Sequence, residues 1–279
     1  MKIVTHKGGA HRDEFVACCL LLASVSDSVQ SVIERRDPTP EELEDVNTYV
    51  VDVGERHEPA KNNFDHHQQG AVGCALTMVL DHLGLLELAR STFAWIDFSE
   101  SLDCRGPYAT AAKLGISKEA FFQTLSPVEA QMLQLFEQEK IIHPGMALYI
   151  LMRQLGAGWL RYLEDMEKRL ALLPSRTEII DVNGVNTMVV DIDGKDNPVL
   201  GLEQFCQAYE KEHGSKIGIT ITRDDRGDGY ALFRREDHPR VDFRPLTGRP
   251  DMVFVHTLGF MGKTKAGVDP IELVKLGIK

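Results

Sequence analysis

Three short stretches of this 279-residue chain concentrate histidine and aspartate. THKGGAHRDE (residues 5–14) holds His6, His11 and Asp13; VVDVG (50–54) holds Asp52; FDHHQQG (64–70) holds Asp65, His66 and His67 in a row. Imidazoles mixed with several carboxylates suit manganese, or alternatively magnesium, better than a structural zinc site, which favours cysteine and histidine at close fixed spacing. More ligands than one ion needs imply two ions sharing a carboxylate. Two metals about 4 Å apart serve in-line displacement at phosphorus, so phosphoester hydrolysis is the reaction class these residues suggest. Each residue alone has a plainer reading: a histidine after a strand is usually a loop residue, and Asp-x-Gly at a strand end is ordinary turn chemistry. Their convergence is what carries weight.

Convergence depends on the elements that carry the stretches. KIVTH reads as a first strand, and DEFVACCLLLASV as an apolar helix opened by acidic residues, as the helix dipole favours. SVQSVIER is a strand, TPEELEDV a short capped helix, TYVVDVG a buried strand and GCALTMVLDHLG the next helix. Strands alternating with helices imply βαβ units and a mainly parallel sheet. In such sheets ligands bind at the carboxyl edge, which brings His6, His11, Asp13, Asp52 and His66 to one crevice, with His67 as a further candidate. Gly8, Gly9, Gly54 and Gly70 admit close backbone approach beside them.

From residue 86 to about 173 the pattern is helical, broken near DCRGP and IIHPG. Its last part, MALYILMRQLGAGWLRYLEDMEKRLALL, is a long helix with apolar residues three and four apart that bridges two domains. After Pro174, TEIIDV and VNTMVVDID flank Asn183-Gly184, a hairpin signal. The helix LEQFCQAYEKEHG and the strands KIGITITRD, RGDGYALFRRE and RVDFRP follow. The expected fold is α/β: a metal-binding domain over residues 1–125 with a mainly parallel sheet, a helical connector over 126–175, and a smaller α+β domain over 176–279.

The formal net charge of −11 argues against non-specific binding of duplex DNA, which draws its affinity from a basic face. Cations of the last third, such as Arg223, Arg226 and Arg234, are interleaved with Asp224, Asp225 and Glu236. The five cysteines lack CxxC spacing and read as reduced core residues. The opening MKIVTHKGGAH has no apolar run of signal-peptide length, and no segment reaches the roughly 20 apolar residues of a membrane span. The expected location is cytoplasmic, with no membrane partner.

THKGGAHRDE, Asp52 in VVDVG, FDHH and an aspartate after the next helices resemble the ordered motifs of the DHH phosphoesterase superfamily. The closest likeness is to its MYG-type branch, described as metal-dependent hydrolases with RNA exonuclease activity. VFVHTLGFMGKTKAG near the end is similar to that branch's last motif. The resemblance implies that His6, His11 and Asp52 hold one ion, and that Asp13, Asp52, His66 and a later aspartate hold another. Asp103 is preferred over Asp97 for that later ligand, because Gly106 follows it. The resemblance further implies that Asp65 orients His66 and that His67 acts on the substrate phosphate or the leaving oxygen. Ala10 and Lys263 depart from the branch's phenylalanine and second glycine.

The Gly-rich turn of the last motif carries two lysines and has a shape that cradles phosphate. His256, Lys263 and Arg240 are the substrate-side candidates. The leading expectation is a manganese-dependent phosphodiesterase or 3′-5′ exonuclease acting on short RNA or small nucleotides. The alternatives are a small-molecule phosphatase or pyrophosphatase, and a metal-dependent nucleotide-binding module without catalysis. A second copy of the chain is a further candidate partner.

Overall fold

The computed structural model describes residues 1–26, 29–68, 70 and 72–279. The chain is mixed α/β and divides into two compact units, Met1–Asp165 and Met166–Lys279. The segmentation expected at 125 and 175 differs from this, because helix and strand residues after 126 belong to the first unit and the division falls inside the long helix.

In the first unit, β1 (Lys2–Thr5), β2 (Val32–Arg35), β3 (Thr48–Val51), β4 (His57–Glu58), β5 (Asn63–Phe64) and β6 (Ile141–Ile142) form one sheet in the order β4-β5-β3-β1-β2-β6. The central pairs β3–β5, β1–β3 and β1–β2 are parallel; the two edge strands β4 and β6 run antiparallel. Ile3, Val4, Ile33, Val50 and Val51 are fully buried, as strands covered on both faces require. Helix α1 (Arg12–Ser24) is apolar on most of its circumference and buried from Asp13 to Phe15 and from Ala17 to Leu22. Around it stand α2 (Pro40–Glu44), α3 (Ala75–His82), α4 (Leu86–Thr92), α5 (Trp95–Leu114), α6 (Lys118–Gln123) and α7 (Pro127–Gln138). Phe136 of α7 meets Phe15 of α1 edge-on, with ring centroids 5.3 Å apart.

Helix α8 (Ala147–Arg176) runs through Pro174 instead of stopping before it; so near the end, proline removes only a late helical hydrogen bond. Its Gly156 lies against α1 so closely that a Cβ there would stand 1.9 Å from the Cys19 carbonyl oxygen. Alanine favours a helix over glycine by about 1 kcal/mol, but the obstacle here is backbone, which cannot swing aside. Gly156→Ala is therefore expected to destabilise the protein by roughly 1–3 kcal/mol net of that gain, read as a lower midpoint in urea unfolding.

In the second unit, β7 (Thr177–Val182), β8 (Val185–Val190), β9 (Ile219–Arg223), β10 (Tyr230–Arg234), β11 (Met252–Val255) and β12 (Met261–Thr264) form a sheet in the order β11-β12-β10-β9-β8-β7. Only β8–β9 is a parallel pair. Asn183 and Gly184 take φ of 50° and 75° at the tip of the β7–β8 hairpin, the conformation their dipeptide signalled. Helices α9 (Leu202–His213) and α10 (Pro270–Leu276) complete the unit. RVDFRP does not form the expected strand. Val241 makes a single bridge to Ile278, and a 3-10 turn at Arg244–Leu246 follows, with Asp242 accepting from the Arg244 backbone and guanidinium. Among the described residues, no helix is long and apolar enough to cross a membrane.

Candidate metal centre

β1 and β3 are adjacent and parallel, so the loops after them open at the same sheet edge. His6 follows β1. Its Nδ1–H donates to the Lys7 carbonyl at 2.9 Å, which fixes the tautomer and turns Nε2 inward. There Nε2 lies 3.0 Å from Glu14 Oε1 and 3.4 Å from Asp52 Oδ2. The loop is tied from below by the buried Arg35 of β2, which donates to the Gly8 carbonyl at 3.0 Å and the Phe136 carbonyl at 3.1 Å. His11 is the N-cap of α1, and its backbone N–H is received by Glu14 Oε1 at 2.7 Å. Asp13 and Glu14 thus stand in the first turn, where the helix dipole favours negative charge, and both are fully buried.

Asp52 closes β3 with φ of 58°. A non-glycine residue in this left-handed region is a strained conformation, costing of order 1–3 kcal/mol, and such strain gathers at functional sites. Its backbone N–H donates to the Phe64 carbonyl at 2.9 Å. Its side chain points between His6 and His66, with Oδ1 3.1 Å from His66 Nε2. Asp103 joins from α5, its Oδ2 3.0 Å from the same nitrogen and its Oδ1 3.7 Å from His11 Nδ1. α5 is interrupted at Gly106 (φ 76°, ψ 172°), so Asp103 lies near the end of its first segment. Asp97 faces elsewhere: it pairs with Arg90 at 2.6 Å and is 53% exposed, against 10% for Asp103.

The neighbourhood of Asp65 differs from the expectation. Asp65 holds His67 and not His66: its Oδ1 lies 2.6 Å from His67 Nδ1 and accepts the His67 backbone N–H at 3.1 Å, while Oδ2 accepts from the Glu55 N–H at 2.6 Å. Adjacent residues in an extended segment point opposite ways, and in this loop the carboxylate reaches the second histidine. The His67 side chain is 56% exposed. Gln69 of the same stretch lies outside the described residues.

Six buried atoms of these residues make no hydrogen bond: His6 Nε2, Asp13 Oδ1, Glu14 Oε2, Asp52 Oδ1, His66 Nε2 and Asp103 Oδ2. Orphaned buried polar atoms are costly and rare; six in one cluster fit a cationic ligand. Ligand atoms fall within 4.8 Å of one another in four overlapping groups, His6-His11-Glu14-Asp52, His11-Asp13-Asp103, Asp52-His66-His67 and His66-Asp103-Cys104. The negative field is strong. Contact with Glu14 raises His6 to about 9, and Asp103 followed by Asp52 pushes His66 up to about 12. Burial, and then the charges of Asp52 and Asp103, hold Asp13 well above the usual carboxylate range. Imidazole nitrogens and carboxylate oxygens make this a donor set for divalent cations.

Glu14 was not among the residues singled out in the sequence, although it ends THKGGAHRDE. The available signal was its place three residues after the N-cap, where a glutamate reaches back to the cap. In the second unit, Lys263 Nζ is held by Asp224 and, at 3.1 Å, by Asp225. The Arg240 guanidinium donates to the carbonyls of Asn183 at 2.7 Å, Gly184 at 3.3 Å and Lys279 at 3.0 Å, tying the β7–β8 turn to Lys279. His256 packs on Phe260 with centroids 4.1 Å apart and, with Phe254 and Lys263, lines a cleft of about 600 Å³.

Residues 2–77 match the profile of the uncharacterised protein family UPF0160, MYG1_exonuc. The chain is 35% identical over 96 residues to the MYG1 protein of Chlamydia trachomatis, covering 33% of this chain and 32% of that one. It is 38% identical over 68 residues to the MYG1 exonuclease of Rattus norvegicus, covering 24% of this chain and 17% of the other. The match thus spans about a third or less of the length of these relatives. A pGpG-specific phosphodiesterase, PggH of Vibrio cholerae, aligns over 98% of this chain and 96% of its own at 12% identity, with a TM-score of only 0.31.

Proposed function

From a chain whose residues 2–77 match the MYG1_exonuc profile, we infer a metal-dependent phosphoesterase that cleaves phosphodiester bonds of short RNA or small nucleotides from the 3′ end. The observation that carries this reading is the set of six buried imidazole and carboxylate atoms around Asp52 that make no hydrogen bond, three of them crowded within 3.0–3.1 Å at His66 Nε2. His6, His11 and Asp52, with Glu14 beside them, would hold one ion; Asp13, Asp52, His66 and Asp103 would hold the other. Two divalent cations, manganese first among them, supply Lewis acidity to a phosphoryl oxygen and neutralise charge on the leaving oxygen.

The remaining chemistry belongs to the protein. Asp65 fixes the Nδ1 edge of His67, and the exposed ring presents Nε2 outward as a proton donor to the leaving oxygen. A buried carboxylate behind an imidazole keeps its tautomer and stabilises its charged form, the division of labour familiar from other acid–base pairs. The second unit is the substrate-binding part, with Phe254 and His256 offering ring faces to a base.

Purified protein is to be incubated with manganese and labelled short oligoribonucleotides, bis-para-nitrophenyl phosphate and pyrophosphate. Shortening of the oligomers from the 3′ end is expected. No turnover above an Asp52→Asn control on any of the three sinks the reading. One observation favours a smaller substrate: Lys263 is neutralised by Asp224 and Asp225, which leaves less positive charge for a polyanion. Turnover of pyrophosphate or mononucleotides with none of oligomers would select a small-molecule phosphatase or pyrophosphatase.

A further inference from the structure

Four of the five cysteines, Cys18, Cys19, Cys74 and Cys206, are buried, as the sequence suggested; Cys104 is exposed and lies at the metal centre. It follows Asp103 on α5. His66 turns Nε2 toward Asp52 and Asp103, so its Nδ1 is on the other edge of the ring. The partner of Nδ1 among the described residues is the Cys104 sulfur, at 3.9 Å. That sulfur in turn donates its S–H to the Gly73 carbonyl at 3.2 Å. The result is a relay: His66 Nδ1–H to Sγ, and S–H to the backbone just before α3.

A metal-binding imidazole is aimed by whatever its second nitrogen donates to, most often a carboxylate or a carbonyl. Here that place is taken by a thiol. Asp52 Oδ1 and Asp103 Oδ2, which make no hydrogen bond, belong to side chains that are 1% and 10% exposed, and lie 3.1 and 3.0 Å from His66 Nε2. The ring angle set from the Nδ1 side thus decides whether Nε2 meets the same ion as these oxygens. We propose that Cys104 is a positioning residue for His66, and that its exposure makes metal binding at this centre sensitive to thiol-modifying electrophiles. The inference rests on the reading of the cluster as a metal centre. Addition of the thiol to a maleimide forms an S–C bond and places the proton on the neighbouring carbon. The thioether has no S–H for Gly73, and the added ring stands against His66.

The test measures manganese binding to the full chain by the electron paramagnetic resonance of the free ion. Wild type, Cys104→Ala, Cys104→Ser and N-ethylmaleimide-treated samples are compared, with Cys104→Ala treated in parallel. Manganese affinity is expected to fall about 10–100-fold in Cys104→Ala, to be largely restored in Cys104→Ser, and to fall on alkylation of wild type but not of Cys104→Ala. Mass spectrometry of the native chain should show one adduct. Wild-type affinity in Cys104→Ala and in the alkylated chain overturns the proposal while leaving the metal centre standing. Failure of the untreated wild type to bind manganese overturns both. Equal loss in the alanine and serine variants assigns Cys104 a packing role and also overturns it.

Discussion

Replacing Asp52 by asparagine is expected to lower manganese-dependent turnover roughly a thousandfold, equivalent to about 4 kcal/mol of barrier, and to reduce bound metal at both positions. Asp52 stands between His6 and His66, with one oxygen 3.4 Å from the first and the other 3.1 Å from the second. Among the described residues, no other carboxylate lies against both of these imidazoles. Asparagine is the informative substitution because its backbone tolerates the left-handed region almost alone among non-glycine residues. It keeps the φ of 58° that alanine would strain, so loss of function is not confused with loss of fold. Circular dichroism and urea unfolding should match wild type, while metal analysis shows the deficit. Two ions retained with undiminished turnover would remove Asp52 from the bridging role.

The second large effect separates two neighbours. His67→Ala is expected to lower kcat by about 10²–10⁴-fold, the usual contribution of general acid–base catalysis, while manganese occupancy stays near wild type. His66→Ala should strip metal, because its Nε2 is buried among carboxylates and its Nδ1 is turned away. Asp65→Asn should follow His67→Ala in kinetics, since Asp65 grips the His67 ring at 2.6 Å. The readouts are kcat, its dependence on pH, and bound metal measured on the same preparation. Metal lost with His67→Ala would make it a ligand, consistent with its Nδ1 lying 3.8 Å from Asp52, and would overturn the division.

Much of this could be read in the sequence, for identifiable reasons. β1, β3 and α1 announce themselves by apolar runs, and their alternation dictates a parallel sheet whose loops share an edge. The Asn183-Gly184 hairpin follows from local backbone preference alone. Strands β4, β5 and β6 of two residues each carry no periodicity, and β6 pairs with a strand more than a hundred residues earlier. The stop expected at Pro174 failed because local propensity was overridden in the last turn of α8. Asp103 could be preferred over Asp97 only through the glycine after it, and the kink at Gly106 is what that glycine makes. The pairing of Asp65 with His67 and the capture of Arg240 by three carbonyls depend on side-chain directions in loops, where no repeating pattern exists to be read, and the exposure of Cys104 depends on how α5 meets the loop before α3.

The first turn of α1 has a consequence of its own. Arg12 lies over the Phe98 ring and pairs with Glu129, Asp13 accepts from the Ala75 N–H, and Glu14 faces His6. Three consecutive residues serve three directions, each about 100° around the axis from the last. Ahead of this turn, Gly8 and Gly9 have open space beside them, with no atom within 4 Å of a Cβ built at either, and one added residue raises the closure entropy of a loop only slightly. A residue added between His11 and Glu14 cannot be absorbed: it rotates every following side chain by about 100° and carries a buried carboxylate out of phase with its histidine. An insertion within HRDE should therefore cost far more metal affinity than one of the same length in the loop before it.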